Sequence, residues 1–220
     1  MEPTLKVNEI FRSLQGEGAR AGLPCTLVRL AGCNLRCRWC DTAYAWDEGE
    51  NMTLAQVLHK VSDLGCMRVE LTGGEPLLQE ASLTLLSELC RRGYETLLET
   101  NGSLDISPVD SRVVRIVDVK CPSSGEADRN LWDNLTRLTA RDEVKFVLAD
   151  RGDYEFARRI VQDYGLTARC AVIFSPVGVS GAKYSIFPAT LADWILADKL
   201  DVRLGIQLHK ILWPGEQRGV

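Results

Sequence analysis

At 220 residues, 45% of them apolar and 25% charged, the chain has the make-up of a soluble globular domain, and no apolar run approaches the ~20 residues of a membrane span. Twenty-six basic against thirty acidic side chains leave a net charge of -4, which argues against a general binder of nucleic-acid backbones and points to a small-molecule ligand. The length suggests one domain over 1–220, and the opening residues lack a signal peptide's apolar core, so the cytoplasm is the expected compartment.

In chain order, residues 6–11 alternate as a strand and give way to Ser13-Leu14-Gln15-Gly16-Glu17-Gly18. Two glycines around a carboxylate suggest either a tight loop where backbone approaches a ligand or a plain turn with a solvated glutamate. Residues 25–31 read as a buried strand ended by Gly32. Arg29 interrupts it, either at an exposed edge or as a buried cation that requires an anionic partner. Cys33, Cys37 and Cys40 follow with the spacing CxxxCxxC, and the acidic stretch 41–51, near two tryptophans, reads as a cover.

Leu54, Val57, Leu58, Val61 and Leu64 recur at helical spacing, with Thr53 and Gln56 as a capping box and Gly65 as the stop. His59 lies off that stripe and reads as solvent-facing. A strand over 67–72 ends in Gly73-Gly74-Glu75-Pro76 and is followed by a helix over 77–92 closed by Gly93. Strands over 95–100 and 113–119 come next, then a helix over 128–139, a strand over 144–149 and a helix over 153–164. A strand over 171–174, a helix over 189–198 and a strand over 202–208 complete the pattern.

Strands alternating with helices in this way imply parallel βα units with right-handed crossovers, an α/β fold. Polar or glycine-rich signatures close six of the strands, at Cys33, Thr72 to Glu75, Glu99 to Gly102, Asp118 to Lys120, Ser175 to Gly178 and Gln207 to Lys210. In parallel α/β sheets the ligand sits outside the carboxyl ends of the strands, so these segments should converge on one mouth.

Eight cysteines in a cytosolic chain read as metal ligands and buried small residues rather than a disulfide framework. Cys25, Cys66, Cys90, Cys121 and Cys170 are scattered, and packing suits them. The trio is interleaved with Arg36 and Arg38, too polar for core. Zinc is the rival ligand, but His59 and Cys66 complete no standard zinc spacing. Three thiolates suit a cubane iron-sulfur cluster with one iron left open.

CxxxCxxC with Trp39 just before the last cysteine resembles the radical S-adenosylmethionine superfamily. The resemblance implies a partial β/α barrel, a 4Fe-4S cluster held by Cys33, Cys37 and Cys40, and S-adenosylmethionine chelating the open iron. Gly73-Gly74-Glu75-Pro76 matches the superfamily's segment beside the methionyl end. Within the superfamily, nearly the whole chain resembles the 7-carboxy-7-deazaguanine synthase family of queuosine and 7-deazapurine biosynthesis. The likeness rests on Leu14-Gln15-Gly16-Glu17-Gly18, the strand bearing Arg29, Cys40-Asp41-Thr42 and the segment from Gln207 through His209 to Trp213.

That resemblance implies 6-carboxy-5,6,7,8-tetrahydropterin as substrate, with Arg29 pairing its carboxylate. It places Leu14, Gln15, Gly16, Glu17, Thr72, Glu99 and His209 on the substrate side. Trp39, Cys40, Asp41, Gly74, Asp118, Val119, Lys120 and Ser175 fall on the S-adenosylmethionine side, and Thr42 is a ligand of Mg2+. Asp118-Val119 and Ser175-Pro176 depart from the family's usual Ser-Pro and Gln-Pro, which leaves side-chain or backbone contact open there. The implied reaction begins with a 5'-deoxyadenosyl radical taking hydrogen from carbon 6 of the pterin and ends in ring contraction with loss of ammonia. An electron donor such as flavodoxin or ferredoxin and a homodimer are also implied, with no nucleic acid and no membrane. The alternative is an activase that installs a glycyl radical on a partner protein, against which the Leu14 to Gly18 loop and Arg29 speak. A non-enzymatic iron or zinc sensor would need only the cysteines and would leave Thr72 to Pro76 unexplained.

Overall fold

The structure, a computed structural model, describes residues 3–179, 183–216 and 218–220. Its elements in order are β1 (Thr4–Leu14), β2 (Pro24–Leu30), β3 (Glu50–Thr53), α1 (Leu54–Asp63), β4 (Arg68–Gly73), α2 (Ala81–Arg91), β5 (Glu95–Thr100) and β6 (Val114–Val119). There follow α3 (Asp133–Thr136), β7 (Glu143–Leu148), α4 (Arg151–Asp163), β8 (Ala171–Pro176), β9 (Gly178–Val179), β10 (Lys183–Tyr184), α5 (Pro188–Ala197), β11 (Arg203–Leu204) and α6 (Leu208–Leu212). Nine strands form one sheet in the order β11-β8-β7-β6-β5-β4-β2-β1-β3, while β9 and β10 make a separate hairpin. From β2 to β11 every neighbour is parallel; β1 runs antiparallel to both β2 and β3. The parallel βα units are those the repeating strand-helix pattern calls for, and together they form the partial β/α barrel that the superfamily resemblance implies.

Strand alternation divides the residues between two faces. Val28, Leu30, Val69, Leu71, Leu98, Val117, Phe146 and Phe174 belong to the large core that includes Leu85, Leu86 and Leu89 of α2 and Ala157 of α4. On the other face, Leu97, Val114 and Ile116 form a small separate cluster inside the barrel. Two residues further along the same rows of β5 and β6 stand Glu99 and Asp118, and these line a cavity.

The capping box of α1 is present: Thr53 Oγ1 accepts from Gln56 N at 3.2 Å, and Gln56 Oε1 accepts from Thr53 N at 2.8 Å. His59 is exposed on the outer face, 3.4 Å from Asp63. The expected helix over 128–139 is instead a 3-10 turn at Ala127–Arg129 followed by the single turn of α3. Asn130 Nδ2 donates to Lys120 O and Ala127 O, and Asn134 Nδ2 donates to Gly102 O and Leu104 O, so side-chain amides hold the chain in loops that compete with the helix. The helix expected over 77–92 begins only at Ala81, after a 3-10 turn at Pro76–Leu78. Gln79, between them, bonds the backbone of Lys6 and Ala31. The strand expected over 202–208 shortens to β11, and its end becomes α6. In addition β1 is longer than its apolar alternation suggests, and β3 was not expected.

The sheet's free edges are β11 and β3. The chain leaving β11 reaches back towards the other edge: Leu208 N donates to Gly16 O at 3.0 Å, Gly219 N to Glu9 Oε2 at 3.1 Å, and Arg218 pairs with Glu48 at 2.5 Å. The C-terminal segment thus walls the gap that an open barrel leaves.

Candidate active site

Strand ends, the cysteine loop and the C-terminal segment enclose a cavity of about 580 Å3. At one end, Cys33, Cys37 and Cys40 lie on its wall, all as free thiols. Close backbone packing places them. Gly73 has φ 137° and a Cβ there would lie 2.2 Å from Leu30 O; a Cβ on Gly74 would lie 2.1 Å from Gly32 O and 2.9 Å from Cys33 Cβ. Asn101 Nδ2 donates to Asn34 Oδ1 at 3.0 Å and approaches Cys33 Sγ at 3.8 Å, Arg38 N donates to Ser124 O at 3.1 Å, and Arg36 lies 4.6 Å over the Trp46 ring. Glu75, fully buried, accepts from Leu77 N, Thr100 Oγ1 and Asn101 N, tying the Gly73 to Pro76 turn to the end of β5. Burial raises its pKa against those donors.

The donor chemistry fits an iron-sulfur cluster. Burial pushes the Cys37 thiol up to about 11 and raises Cys33, while Lys120 favours both thiolates. Metal binding is therefore coupled to release of thiol protons. Among the described residues no group of three His, Cys, Asp or Glu is arranged to hold a single metal ion. A cubane makes a different demand, with each thiolate on its own iron.

The other end is built from charge. Because β1 runs antiparallel, Leu14 stands opposite Pro24, at the far end of β2 from the cysteines, and Leu14 to Glu17 enter the cavity from below. Gln15 Nε2 donates to Glu70, a carboxyl on β4 that is 1% exposed. Lys145 of β7 bonds Glu17 Oε2 at 2.9 Å, bonds Glu99 Oε1, and stands 3.6 Å from Asp118. Gln207 Nε2 donates to Glu17 Oε1 at 2.8 Å, and Thr72 Oγ1 to Glu99 at 3.4 Å. Burial alone would raise Glu17, yet Lys145, Gln207 and His209 together lower its pKa to about 2. Burial and the neighbouring Glu99 and Glu17 lift Glu70 well above the carboxylate range. Lys145 and Lys120 are raised despite burial, Lys145 by Glu17 and Glu99, and Lys120 by Asp118 at 2.9 Å.

Arg29 is mostly covered, its side chain 11% exposed, on a strand inside the sheet rather than at an exposed edge. It stands opposite Glu9 across β1 and β2, and its Nε donates to Glu9 Oε1 at 2.7 Å. Tyr44 OH donates to the same oxygen at 2.9 Å. The His209 ring rests on Gly16, where a Cβ would meet Nδ1 at 2.7 Å, and burial lowers its pKa against Glu17 and Asp41. Asp41 lies 3.2 Å from Lys210 Nζ, and Thr42 Oγ1 is 3.7 Å from Cys40 Sγ. Trp39, Gly74, Val119 and Lys120 also face the cavity. Ser175 does not: its Oγ is buried without a partner among the described residues, against Gly205. Sequence reasoning passed over Glu70 and Lys145, in strands that alternate polar and apolar residues, and Tyr44, in the covering loop.

Comparison with known proteins bears on this geometry. Residues 27–119 match the Radical SAM superfamily model. Over 98% of its length the chain is 46% identical to the whole of 7-carboxy-7-deazaguanine synthase from Koribacter versatilis, and over 100% it is 44% identical to 99% of the synthase from Chlorobaculum tepidum. The chain belongs to the 7-carboxy-7-deazaguanine synthase family. It is accordingly a radical S-adenosylmethionine enzyme, and its cofactors are a 4Fe-4S cluster and S-adenosylmethionine. In fold it is similar to QueE from Escherichia coli, whose crystal structure superposes with a TM-score of 0.75 at 23% identity, covering 94% of this chain and 95% of that one. These relatives are named as synthases, and the activase alternative is not favoured.

Proposed function

We propose that the chain converts 6-carboxy-5,6,7,8-tetrahydropterin to 7-carboxy-7-deazaguanine with loss of ammonia. The observation that carries this reading is a single cavity with three cysteines at one end and Arg29, Gln15, Glu99 and His209 at the other. Cys33, Cys37 and Cys40 hold the cluster, which with bound S-adenosylmethionine supplies the one-electron chemistry that removes a hydrogen atom from the substrate. The protein's own task is to bind, orient and exclude water.

Arg29 is suited to the substrate carboxylate. Glu9 takes its Nε, and its Nη nitrogens make no hydrogen bond among the described residues, leaving them for a second carboxylate. Leu14, Gln15, Gly16, Glu17, Thr72, Glu99 and His209 hold the rest of the substrate, under the cover of the C-terminal segment. Trp39, Cys40, Asp41, Gly74, Asp118, Val119 and Lys120 hold S-adenosylmethionine, and Ser175 serves through its backbone, since its Oγ faces Gly205. Thr42, a neutral ligand, would hold Mg2+ and leave most of its positions to water and substrate oxygens. We read residues 1–220 as one cytoplasmic radical S-adenosylmethionine domain that works as a homodimer. Its reductant is a flavodoxin or ferredoxin and its product feeds queuosine or other 7-deazapurines. No helix among the described residues is long and apolar enough to cross a membrane.

The test is anaerobic reconstitution followed by incubation with the carboxypterin, S-adenosylmethionine, dithionite and magnesium. Product of the mass of 7-carboxy-7-deazaguanine is expected. A protein that carries its cluster and cleaves S-adenosylmethionine yet leaves the pterin intact would overturn the substrate assignment.

A further inference from the structure

One carboxyl in the cavity has no part in the reading above. Glu70, the third residue of β4, stands opposite Leu27 of β2 and accepts from the Gln15 amide. Facing it are Glu99 from β5, Glu17 from the loop after β1, Lys145 from β7, and the buried Cys25 thiol of β2. Lys145 is already occupied by Glu17 and Glu99, with Asp118 at 3.6 Å. Lys120 takes up Asp118 at 2.9 Å, and one ammonium does not neutralise Glu17, Glu99 and Glu70 together in a buried place, so one of these three holds a proton. Glu17 is held by Lys145 and Gln207, and Glu99 by Lys145 and Thr72. Glu70 makes no ion pair among the described residues and is the member that keeps the proton.

We propose that Glu70 is a positioning residue that works as a neutral acid, its hydroxyl donating to Glu99 and its other oxygen accepting from Gln15, so that both side chains meet the substrate in one arrangement. Burial first, then the charges of Glu99 and Glu17, hold its proton against the pull of Lys145. Glu70 acts through Gln15 and Glu99, and so rests on the reading that these two touch the substrate. When the proton leaves at alkaline pH, the donor to Glu99 is lost and two carboxylates repel. Substrate binding then weakens while the bound substrate still turns over, so the effect falls on KM more than on kcat.

The test uses the reconstituted full-length enzyme as wild type, Glu70→Gln and Glu70→Leu. An amide keeps one donor and one acceptor and cannot ionise. Glu70→Leu should lower kcat/KM by about tenfold or more, mostly through KM, with iron content unchanged. Glu70→Gln should restore most of that loss and abolish the alkaline fall in kcat/KM. A glutamine variant as impaired as the leucine one, or one that keeps the alkaline limb, overturns the proposal. Infrared spectra of the substrate-free protein give a second readout: a protonated-carboxyl band present at neutral pH in the wild type and absent from Glu70→Gln supports it, and no such difference overturns it. A wild type that is inert towards the carboxypterin but shows that band would instead sink the substrate assignment and leave the protonation of Glu70 standing.

Discussion

The two ends of the cavity are made in opposite ways. At the cysteine end a contiguous loop is pressed against glycine backbone, and its partners, Gly74, Ser124 and Asn101, act mostly through main-chain atoms and amides. At the floor, Glu17, Glu70, Glu99, Asp118 and Lys145 come from five separate segments, and ion pairs and hydrogen bonds link them. Close backbone approach is unforgiving of volume, whereas a buried charge cluster is unforgiving of charge. The two ends should therefore fail differently when altered.

The largest effect should come from the floor. Lys145→Met takes the shared cation from Glu17, Glu99 and Asp118 and leaves buried carboxylates uncompensated, a loss of about 3–5 kcal/mol in folding stability. Urea denaturation measures it, and a variant as stable as the wild type would show that the carboxyls simply take up protons. At the other end, Gly74→Val has no room, with Gly32 O 2.1 Å from the first added atom. It should fold, lose the 4Fe-4S absorbance on reconstitution, and fall at least about a hundredfold in turnover. Cluster binding at the wild-type level would mean that the loop yields. Arg29→Ala should sit below both, with an intact cluster, S-adenosylmethionine still bound, and kcat/KM for the carboxypterin reduced about ten- to a hundredfold. Unchanged turnover would remove Arg29 from the substrate's carboxylate.

The same contrast explains what the sequence made legible. The cysteine end is local, so spacing and the Gly73-Gly74 pair were enough to find it, and the βα alternation found the parallel strands and their helices. Glu70 and Lys145 sit singly in Arg68-Val69-Glu70-Leu71-Thr72 and Glu143-Val144-Lys145-Phe146, where a polar residue at every second position reads as a half-exposed strand. In a barrel the second face looks into the cavity, and that depends on closure rather than on local pattern. Arg29 was ambiguous for the same reason, and only the register of β1 against β2 supplied Glu9. The failure of the helix over 128–139 has a related origin, since Asn130 and Asn134 bond backbone far off in sequence.

The smallest predicted effect separates the members of the floor by the sign of their linkage to pH. Glu17 titrates near 2 in the folded protein, because Lys145 and Gln207 outweigh burial. Its contribution to stability is present above the unfolded carboxyl's value of about 4.3 and is lost as pH falls from there towards 2. Glu70 behaves in the opposite sense. Its folded pKa is raised, so below about pH 4.3 both states hold the proton and stability is undiminished. Above that value the unfolded chain ionises while the native protein does not, and stability declines with rising pH until Glu70 itself ionises, by at most about 1.4 kcal/mol per pH unit. Wild type and Glu70→Gln should therefore share the acid limb set by Glu17, while only the wild type loses stability above it. Subtracting the two unfolding free energies across pH 3 to 9 (roughly the range over which these carboxyls titrate) isolates Glu70 from every other group common to both proteins. Parallel curves above pH 5 (about where an unfolded carboxyl is ionised) would mean that Glu70 ionises with the rest of the floor, and that the charge of Lys145 is shared more widely than the ion pairs indicate.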